Sequence, residues 1–109
     1  MGIIVQKFGG SSVADANQIK KVKAILESDA KRTVAVVSAP GKRFDGDSKI
    51  TDLLYLCKTH IDHNLPYDQI FQVVADRFMA VVINLGVNLD LNRYFDEIRE
   101  NLKKNPSAD

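Results

Sequence analysis

Two short apolar segments separated by one amphipathic segment constrain the fold of this chain more than any other feature of its sequence. Residues 3–8 and 33–38 are rich in apolar and β-branched side chains, as strands buried on both faces are. Between them, a helix beginning at about Asp15 carries an apolar stripe that fits against a sheet. The stripe consists of Ile19, Val22, Ile25 and Leu26. A strand, a helix and a strand in this order predict a right-handed parallel unit and therefore an α/β fold.

The rest of the chain is predicted to be helical. Apolar residues recur at helical spacing in three segments, which begin at Thr51, near Tyr67 and near Asp90. Pro66 and Gly86 are stop signals for the first two segments, and the last three residues are predicted to fray. Two strands with four helices provide too little sheet to bury both faces of the strands. We therefore interpret the chain as part of a larger domain.

The loop after the first strand carries two glycines and two serines, and a lysine precedes it. Gly9 and Gly10 lack a Cβ and tolerate positive φ, so their backbone N–H groups can turn toward one anion. Lys7 supplies a compact positive charge, and the helix that follows brings the positive end of its dipole to the loop. Paired glycines after a strand also form ordinary turns, so this segment alone leaves both interpretations open. It matches neither of the two common glycine-rich nucleotide motifs.

A second loop, with one proline and two glycines, follows the second strand. Ligands bind beyond the carboxyl ends of parallel strands, so we expect this loop and Ser38 to lie near the Gly9–Gly10 turn. Thr51 is a candidate N-cap for the helix that follows the loop. Asp52 is placed to interact favourably with the dipole of the same helix.

Composition narrows the class of partner. The 109 residues carry a formal net charge of +1 with acidic and basic side chains mixed, so neither nucleic acid nor a membrane is expected as a partner. Cys57 is the single cysteine, which excludes an internal disulfide, indicates a reducing compartment and predicts a small buried hydrophobe. No segment has the length of a membrane span or the pattern of a secretion signal, so the expected location is the cytoplasm.

The remaining polar groups have structural explanations. His60 and His63 lie three residues apart on a predicted helix, where surface positions are commoner than a metal site. The lysines at positions 20, 21 and 23 and the charged run 97–104 predict solvated helix faces. Arg77 is predicted to be an edge or paired charge rather than an anchor for nucleotide.

Two motifs in order resemble the beginning of aspartate kinases. The first motif is Lys7-Phe8-Gly9-Gly10-Ser11-Ser12-Val13-Ala14-Asp15. The second motif is Val36-Val37-Ser38-Ala39-Pro40-Gly41-Lys42, followed by Thr51-Asp52-Leu53-Leu54. The resemblance spans essentially the whole chain and is strongest in the first half, since the helical half matches in pattern more than in diagnostic residues.

This resemblance implies the amino acid kinase fold, a three-layer α/β/α sandwich, with residues 1–109 as the N-terminal part of its catalytic domain. It implies that ATP with Mg²⁺ phosphorylates the side-chain carboxylate of L-aspartate to 4-phospho-L-aspartate, on the route to lysine, threonine and methionine. It also implies a homo-oligomer. Phosphoryl transfer is catalysed chiefly by positioning and charge neutralisation, which a lysine beside a glycine loop can provide.

The resemblance also assigns roles to particular residues. Lys7 would be the catalytic residue, in contact with the transferring phosphoryl group. The cofactor-binding set is Lys7, Phe8, Gly9, Gly10 and Ser11. Ser38 and Thr51 match positions that contact L-aspartate in the family, and their hydroxyls suit a carboxylate or an α-amino group. No residue is assigned to a metal.

The chain departs from the family pattern in two ways. Residues 43–49 make a longer loop than in the shortest relatives, which affects the placement of Thr51, and Lys42 or Arg43 are candidates for guiding anions. The later substrate and nucleotide motifs and the regulatory ACT domains are missing from these 109 residues, so we expect an incomplete site and an inactive chain. The alternatives are an assembly fragment that pairs through exposed sheet edges, and an amino acid kinase for another acceptor.

Overall fold

The first half of the chain forms the predicted strand–helix–strand unit. The computed structural model describes residues 2–104. In chain order the unit contains β1 (Val5–Phe8), a 3₁₀ turn (Gly10–Val13), α1 (Ala16–Glu27) and β2 (Val34–Val37). The two strands are parallel and in register from Val5 opposite Val34 to Phe8 opposite Val37. The predicted parallel α/β arrangement is therefore confirmed, with strands of four residues each rather than six.

Helix α1 begins and packs where its sequence indicated. The Asp15 carboxylate accepts a hydrogen bond from the N–H of Gln18 at 2.9 Å, which satisfies one of the free amides of the first turn. Its apolar stripe packs against Phe8 of β1 and against Val13. The resulting core contains Phe8, Val13 and Val22, with Ile19 and Leu26 partly buried against them.

The strands are far less buried than predicted. Phe8 is 5% exposed, but every residue of β2 is exposed, with Val36 at 48% and Val37 at 59%. The reason is the number of covering elements, because α1 packs against the Phe8 face and the sheet has only two strands within residues 2–104. The prediction of strands buried on both faces, which was based on their apolar composition, is therefore wrong for this chain.

Three helices make up the second half: α2 (Ile50–Asp62), α3 (Asp68–Leu85) and α4 (Asn92–Lys104). The chain divides into two compact units, residues 1–51 and 52–109. In the second unit the fully buried side chains of Cys57 and Phe71 form a core with Ala75. Six partly buried residues pack against it: Leu54, Tyr67, Ile70, Phe95, Ile98 and Leu102. Burial raises the pKa of the Cys57 thiol, which keeps the side chain neutral as a small hydrophobe should be.

The helix ends follow local signals with one exception. Gly86 adopts a left-handed conformation with φ of 68° and ends α3, as predicted. Thr51 is not an N-cap, because α2 already begins at Ile50, whose N–H donates to the Pro40 carbonyl at 3.1 Å. Asp52 does lie in the first turn of α2, near the positive end of its dipole. The predicted fraying of residues 107–109 falls outside the described residues.

Within residues 2–104, every helix falls short of the length or the apolarity that a membrane span requires.

Candidate functional site

The loops that follow β1 and β2 meet at the carboxyl ends of the strands. The N–H of Ser38 donates to the Phe8 carbonyl at 3.2 Å, which extends the strand pairing by one step. Further along, the N–H of Gly41 donates to the Gly10 carbonyl at 2.8 Å. The predicted proximity of the second loop to the Gly9–Gly10 turn is therefore confirmed.

Gly10 and Gly41 are in very close backbone contact. A Cβ on Gly10 would lie 3.1 Å from the Ala39 carbonyl oxygen, and a Cβ on Gly41 would lie 2.9 Å from the Gly10 carbonyl carbon. Gly41 therefore has no room for a side chain, and a side chain on Gly10 would require the second loop to shift by a few tenths of an ångström.

The predicted use of positive φ in the first loop is wrong. Gly9 has φ of −74°, and the glycines with positive φ among residues 2–104 are Gly46 and Gly86. The chain instead leaves β1 in an extended conformation and enters the 3₁₀ turn directly. Glycine at position 10 is thus explained by the close approach of the second loop rather than by a positive φ.

The two loops enclose a concavity of about 500 Å³ within the first unit. The lining residues are Gly10, Ser11, Ser38, Ala39, Pro40, Gly41, Lys42, Lys49 and Thr51. Four of the predicted site residues therefore line one concavity, two of them assigned to the nucleotide and two to the acceptor. Gly10 and Ser11 come from the predicted nucleotide loop, whereas Ser38 and Thr51 were assigned to the acceptor. Such placement beyond the carboxyl ends of parallel strands is typical of ligand sites in α/β proteins.

The other three predicted site residues do not line the concavity. Lys7 is exposed on β1, and Gly9 is exposed with nothing within 4 Å of the place where a Cβ would stand. The Phe8 side chain is buried with Val13 and Val22, so only the backbone of Phe8 is placed at the strand end. The predictions for these residues stay predictions.

The loop between Gly41 and Ile50 is held by one internal ion pair. The carboxylate of Asp47 accepts from Nε of Arg43 at 2.7 Å, from its Nη2 at 2.9 Å and from its backbone N–H at 2.9 Å. These bonds hold the pKa of Asp47 well below its usual value of 3.8, the guanidinium contact having the largest effect. They also raise the pKa of Arg43.

Four lining residues were not assigned to a ligand from the sequence: Ala39, Pro40, Gly41 and Lys49. Lys42 had been named only as a candidate guide for anions. All five lie between the carboxyl end of β2 and the start of α2, and this position is the one signal that they share. The close approach of Gly10 could not be inferred from local sequence, because it depends on a residue more than 30 positions away.

The two histidines make local contacts. Nδ1 of His60 is hydrogen-bonded to the Pro66 carbonyl at 2.9 Å, and Nδ1 of His63 to the Thr59 carbonyl at 2.8 Å. Within residues 2–104 no three His, Cys, Asp or Glu side chains are grouped as a metal site requires. The structural explanation of the histidines therefore accounts for their positions.

Comparison with known proteins identifies the family. Residues 2–99 match the model of the amino acid kinase family. Over 98 residues the chain is 36% identical to aspartokinase 3 of Bacillus subtilis (strain 168), which covers 90% of this chain and 21% of that protein. The crystal structure of aspartate kinase from Clostridium acetobutylicum matches with a TM-score of 0.92 and 45% identity, covering 98% of this chain and 25% of that one.

These matches agree with the architecture of the first unit and with the order of the motifs. The chain spans about a fifth of the length of the curated relative and a quarter of that of the solved structure. The predicted fold class, with parallel strands and several helices, is confirmed by the structural match. The chain belongs to the amino acid kinase family, and over its described length it resembles an aspartate kinase in sequence and in fold.

Proposed function

We propose that this chain is the N-terminal portion of an aspartate kinase catalytic domain, which transfers a phosphoryl group from ATP to the side-chain carboxylate of L-aspartate. The observation that carries the proposal is the single concavity shared by Gly10, Ser11, Ser38 and Thr51. It brings the predicted nucleotide loop beside the predicted acceptor residues. Proximity of this kind is the main requirement of phosphoryl transfer, where the protein positions the two reactants and offsets charge.

The phosphate side of the site rests on Gly10 and Ser11. Their N–H groups open the 3₁₀ turn and so have no acceptor within it, which leaves donors at the edge of the concavity. A phosphate oxygen is a suitable acceptor for such donors. Lys7, three residues earlier on the same strand end, is proposed to offset the charge of the transferring group.

The acceptor side rests on Ser38 and Thr51. Both line the concavity, and each hydroxyl can donate to a carboxylate or accept from an ammonium group. Thr51 lies in the first turn of α2, where the helix dipole also favours an anion. L-Aspartate offers two carboxylates and one ammonium group, so these partners suit it.

The described residues offer contacts for ATP but no site for Mg²⁺. The N–H groups of Gly10 and Ser11 at the edge of the concavity suit the phosphate oxygens of ATP. Carboxylates arranged as a Mg²⁺ site are not found among residues 2–104, so the ion is proposed to arrive with the nucleotide phosphates.

Completion of the site by further residues is part of the proposal. The matched relatives are four to five times longer than the matched segment, and β2 exposes valines that a neighbouring element would cover. We therefore propose that the 109-residue chain alone is inactive. The remaining expectations, a cytoplasmic homo-oligomer on the route to lysine, threonine and methionine, stay proposals.

A chimera tests the proposal directly. Residues 2–99 replace the matching segment of the Bacillus subtilis relative, and ADP release is measured with Mg²⁺–ATP and L-aspartate. We expect aspartate-dependent turnover that falls by about a hundredfold or more in Lys7→Ala, the size expected for losing one transition-state charge. The matched control, Lys20→Ala on the exposed face of α1, should retain full activity.

Three results would contradict the proposal. A folded chimera that phosphorylates glutamate or carbamate in preference to L-aspartate would assign the chain to another member of the family. Full activity in Lys7→Ala would remove the lysine from the mechanism. ADP release by the 109-residue chain alone, above that of its own Lys7→Ala variant, would disprove its inactivity.

A non-catalytic assembly fragment is a second candidate, favoured by the exposed valines of β2 and by the open edges of a two-stranded sheet. This candidate predicts a dimer of the 109-residue chain in size-exclusion chromatography with light scattering. A folded monomer at all concentrations would count against it.

A further inference from the structure

The loop between Gly41 and Ile50 is held by a set of internal contacts. Arg43 and Asp47 form a two-pronged ion pair four residues apart, and the Arg43 backbone donates a third bond to the same carboxylate. The Asp47 N–H donates to the Phe44 carbonyl at 3.1 Å, and Gly46 adopts φ of 87° to allow the turn. We call this set of contacts the loop clasp.

The loop is anchored at both ends as well. Gly41 is bonded to Gly10, and the N–H of Ile50 donates to the Pro40 carbonyl at 3.1 Å. Ile50 itself is 2% exposed. With both ends anchored and the middle clasped, the residues that flank the clasp have defined positions.

Lys42 and Lys49 are the residues that flank the clasp, and both line the concavity. Among the described residues that line it, these two lysines are the only charged ones, and none is acidic. Within residues 2–104 neither lysine takes part in an ion pair, whereas Arg43 is occupied by Asp47. The concavity therefore carries two uncompensated positive charges beside hydroxyl and amide donors, which is the chemistry of an oxyanion site.

We propose that Lys42 and Lys49 bind an oxyanion in the concavity, and that Arg43 and Asp47 are positioning residues that hold the two lysines there. The oxyanion is a carboxylate of the amino acid acceptor or a phosphate of the nucleotide. This inference deepens the proposed function and rests on it only for the identity of the ligand. Arg43 is thereby assigned to positioning rather than to anion contact, because Nε and Nη2 of its guanidinium donate to Asp47.

Titration of the full 109-residue chain tests the inference by NMR. The amide signals of Gly10 and Gly41 report on the concavity, and the probes are L-aspartate, ATP and inorganic phosphate, each at low and high salt. We expect Lys42→Gln and Lys49→Gln each to weaken binding of the responsive probe about three- to fivefold, as for exposed charge pairs. Lys42→Arg should retain binding, and Lys20→Gln, an exposed lysine on α1, should have no effect.

Asp47→Asn tests the positioning role. It keeps the size of the side chain and an acceptor for the Arg43 backbone but removes the ion pair. We expect weaker binding together with a reduced dependence on the charge at position 42, so that Lys42→Gln costs less in this background. Equal losses for Lys42→Gln in both backgrounds would overturn the positioning role.

The outcomes separate this inference from the proposed function. Equal binding in the wild type and both lysine variants, or no response of Gly10 and Gly41 to any probe, would overturn the inference. Lysine-dependent binding of inorganic phosphate alone would support it whatever the result of the chimera experiment, which tests the proposed function separately. Loss of binding that rising salt does not reproduce would also count against it, since contacts between exposed charges are screened.

Discussion

Gly10 and Gly41 decide how closely the two loops of the candidate site can approach. The N–H of Gly41 donates to the Gly10 carbonyl at 2.8 Å, a Cβ on Gly41 would clash with backbone, and a Cβ on Gly10 would be in tight contact with it. Gly9, in contrast, has nothing within 4 Å of its Cβ position. The two adjacent glycines of this motif therefore differ in their surroundings. Gly10 allows the second loop to approach closely, whereas Gly9 lies at an open surface.

Alanine substitutions should separate these reasons. Gly41→Ala places a methyl 2.9 Å from backbone, so we expect a loss of about 1–3 kcal/mol in the free energy of unfolding. Gly9→Ala should change it by less than about 0.5 kcal/mol, because its methyl would stand in open space. Urea unfolding followed by circular dichroism measures both. A Gly41→Ala variant as stable as Gly9→Ala would show that the loops separate at little cost.

The Asp47 carboxylate should give a pH dependence in the first unit. Its pKa in the folded chain lies below the usual 3.8 because Arg43 stabilises the charged form, so the loop clasp contributes its full stability above about pH 4. That contribution decreases as the pH falls from there through the depressed folded-state pKa. The ¹³C signal of the Asp47 carboxyl group, followed between pH 7 and 1, measures this.

Arg43→Gln provides the counterpart to that titration. Without the guanidinium, the midpoint for Asp47 should move up toward 3.8, while Lys20→Gln should leave it in place. A midpoint near the usual value in the unaltered chain would contradict the clasp.

Helix α1 shows why some elements could be predicted from sequence. Asp15 caps the helix and the stripe around Val22 packs on Phe8, and both features depend on residues within a few positions of each other. The end of α3 is likewise determined locally, by the left-handed conformation of Gly86. Strand burial is not local, and so the valines of β2 were misjudged: their exposure depends on which elements cover the sheet.

Removal of the α1 cap is a direct test at this scale. Asp15→Ala deletes the acceptor for the Gln18 N–H, and we expect a loss of about 1 kcal/mol in unfolding free energy. Asn17→Ala, at the exposed second position of α1, is the control and should be nearly neutral. Equal stability of the two variants in thermal unfolding would mean that the cap contributes nothing measurable.

At the scale of the whole molecule, the location of the candidate site was predicted correctly, but several of the residues that line it were not. The rule that ligand loops meet at the carboxyl ends of parallel strands was enough to place Ser38 beside Gly10. It could not reveal Lys49, because the loop clasp that positions this residue depends on a pairing between Arg43 and Asp47 that no motif marks. Helix α2 also begins one residue before Thr51, so the assignment of a cap at that residue failed.

The exposed strand β2 has a further consequence for the behaviour of the chain in concentrated solution. Residues 33–38 form a six-residue run of Thr, Val, Ala and Ser without charge or proline, which is the signature of a cross-β segment. Val36→Lys should delay thioflavin-positive fibrils without lowering the melting temperature, since Val36 is 48% exposed, whereas Val22→Lys should unfold the chain. If fibrils form equally fast in Val36→Lys, another segment nucleates them. If they are delayed, the exposed strand β2 limits the concentration at which this chain stays in solution.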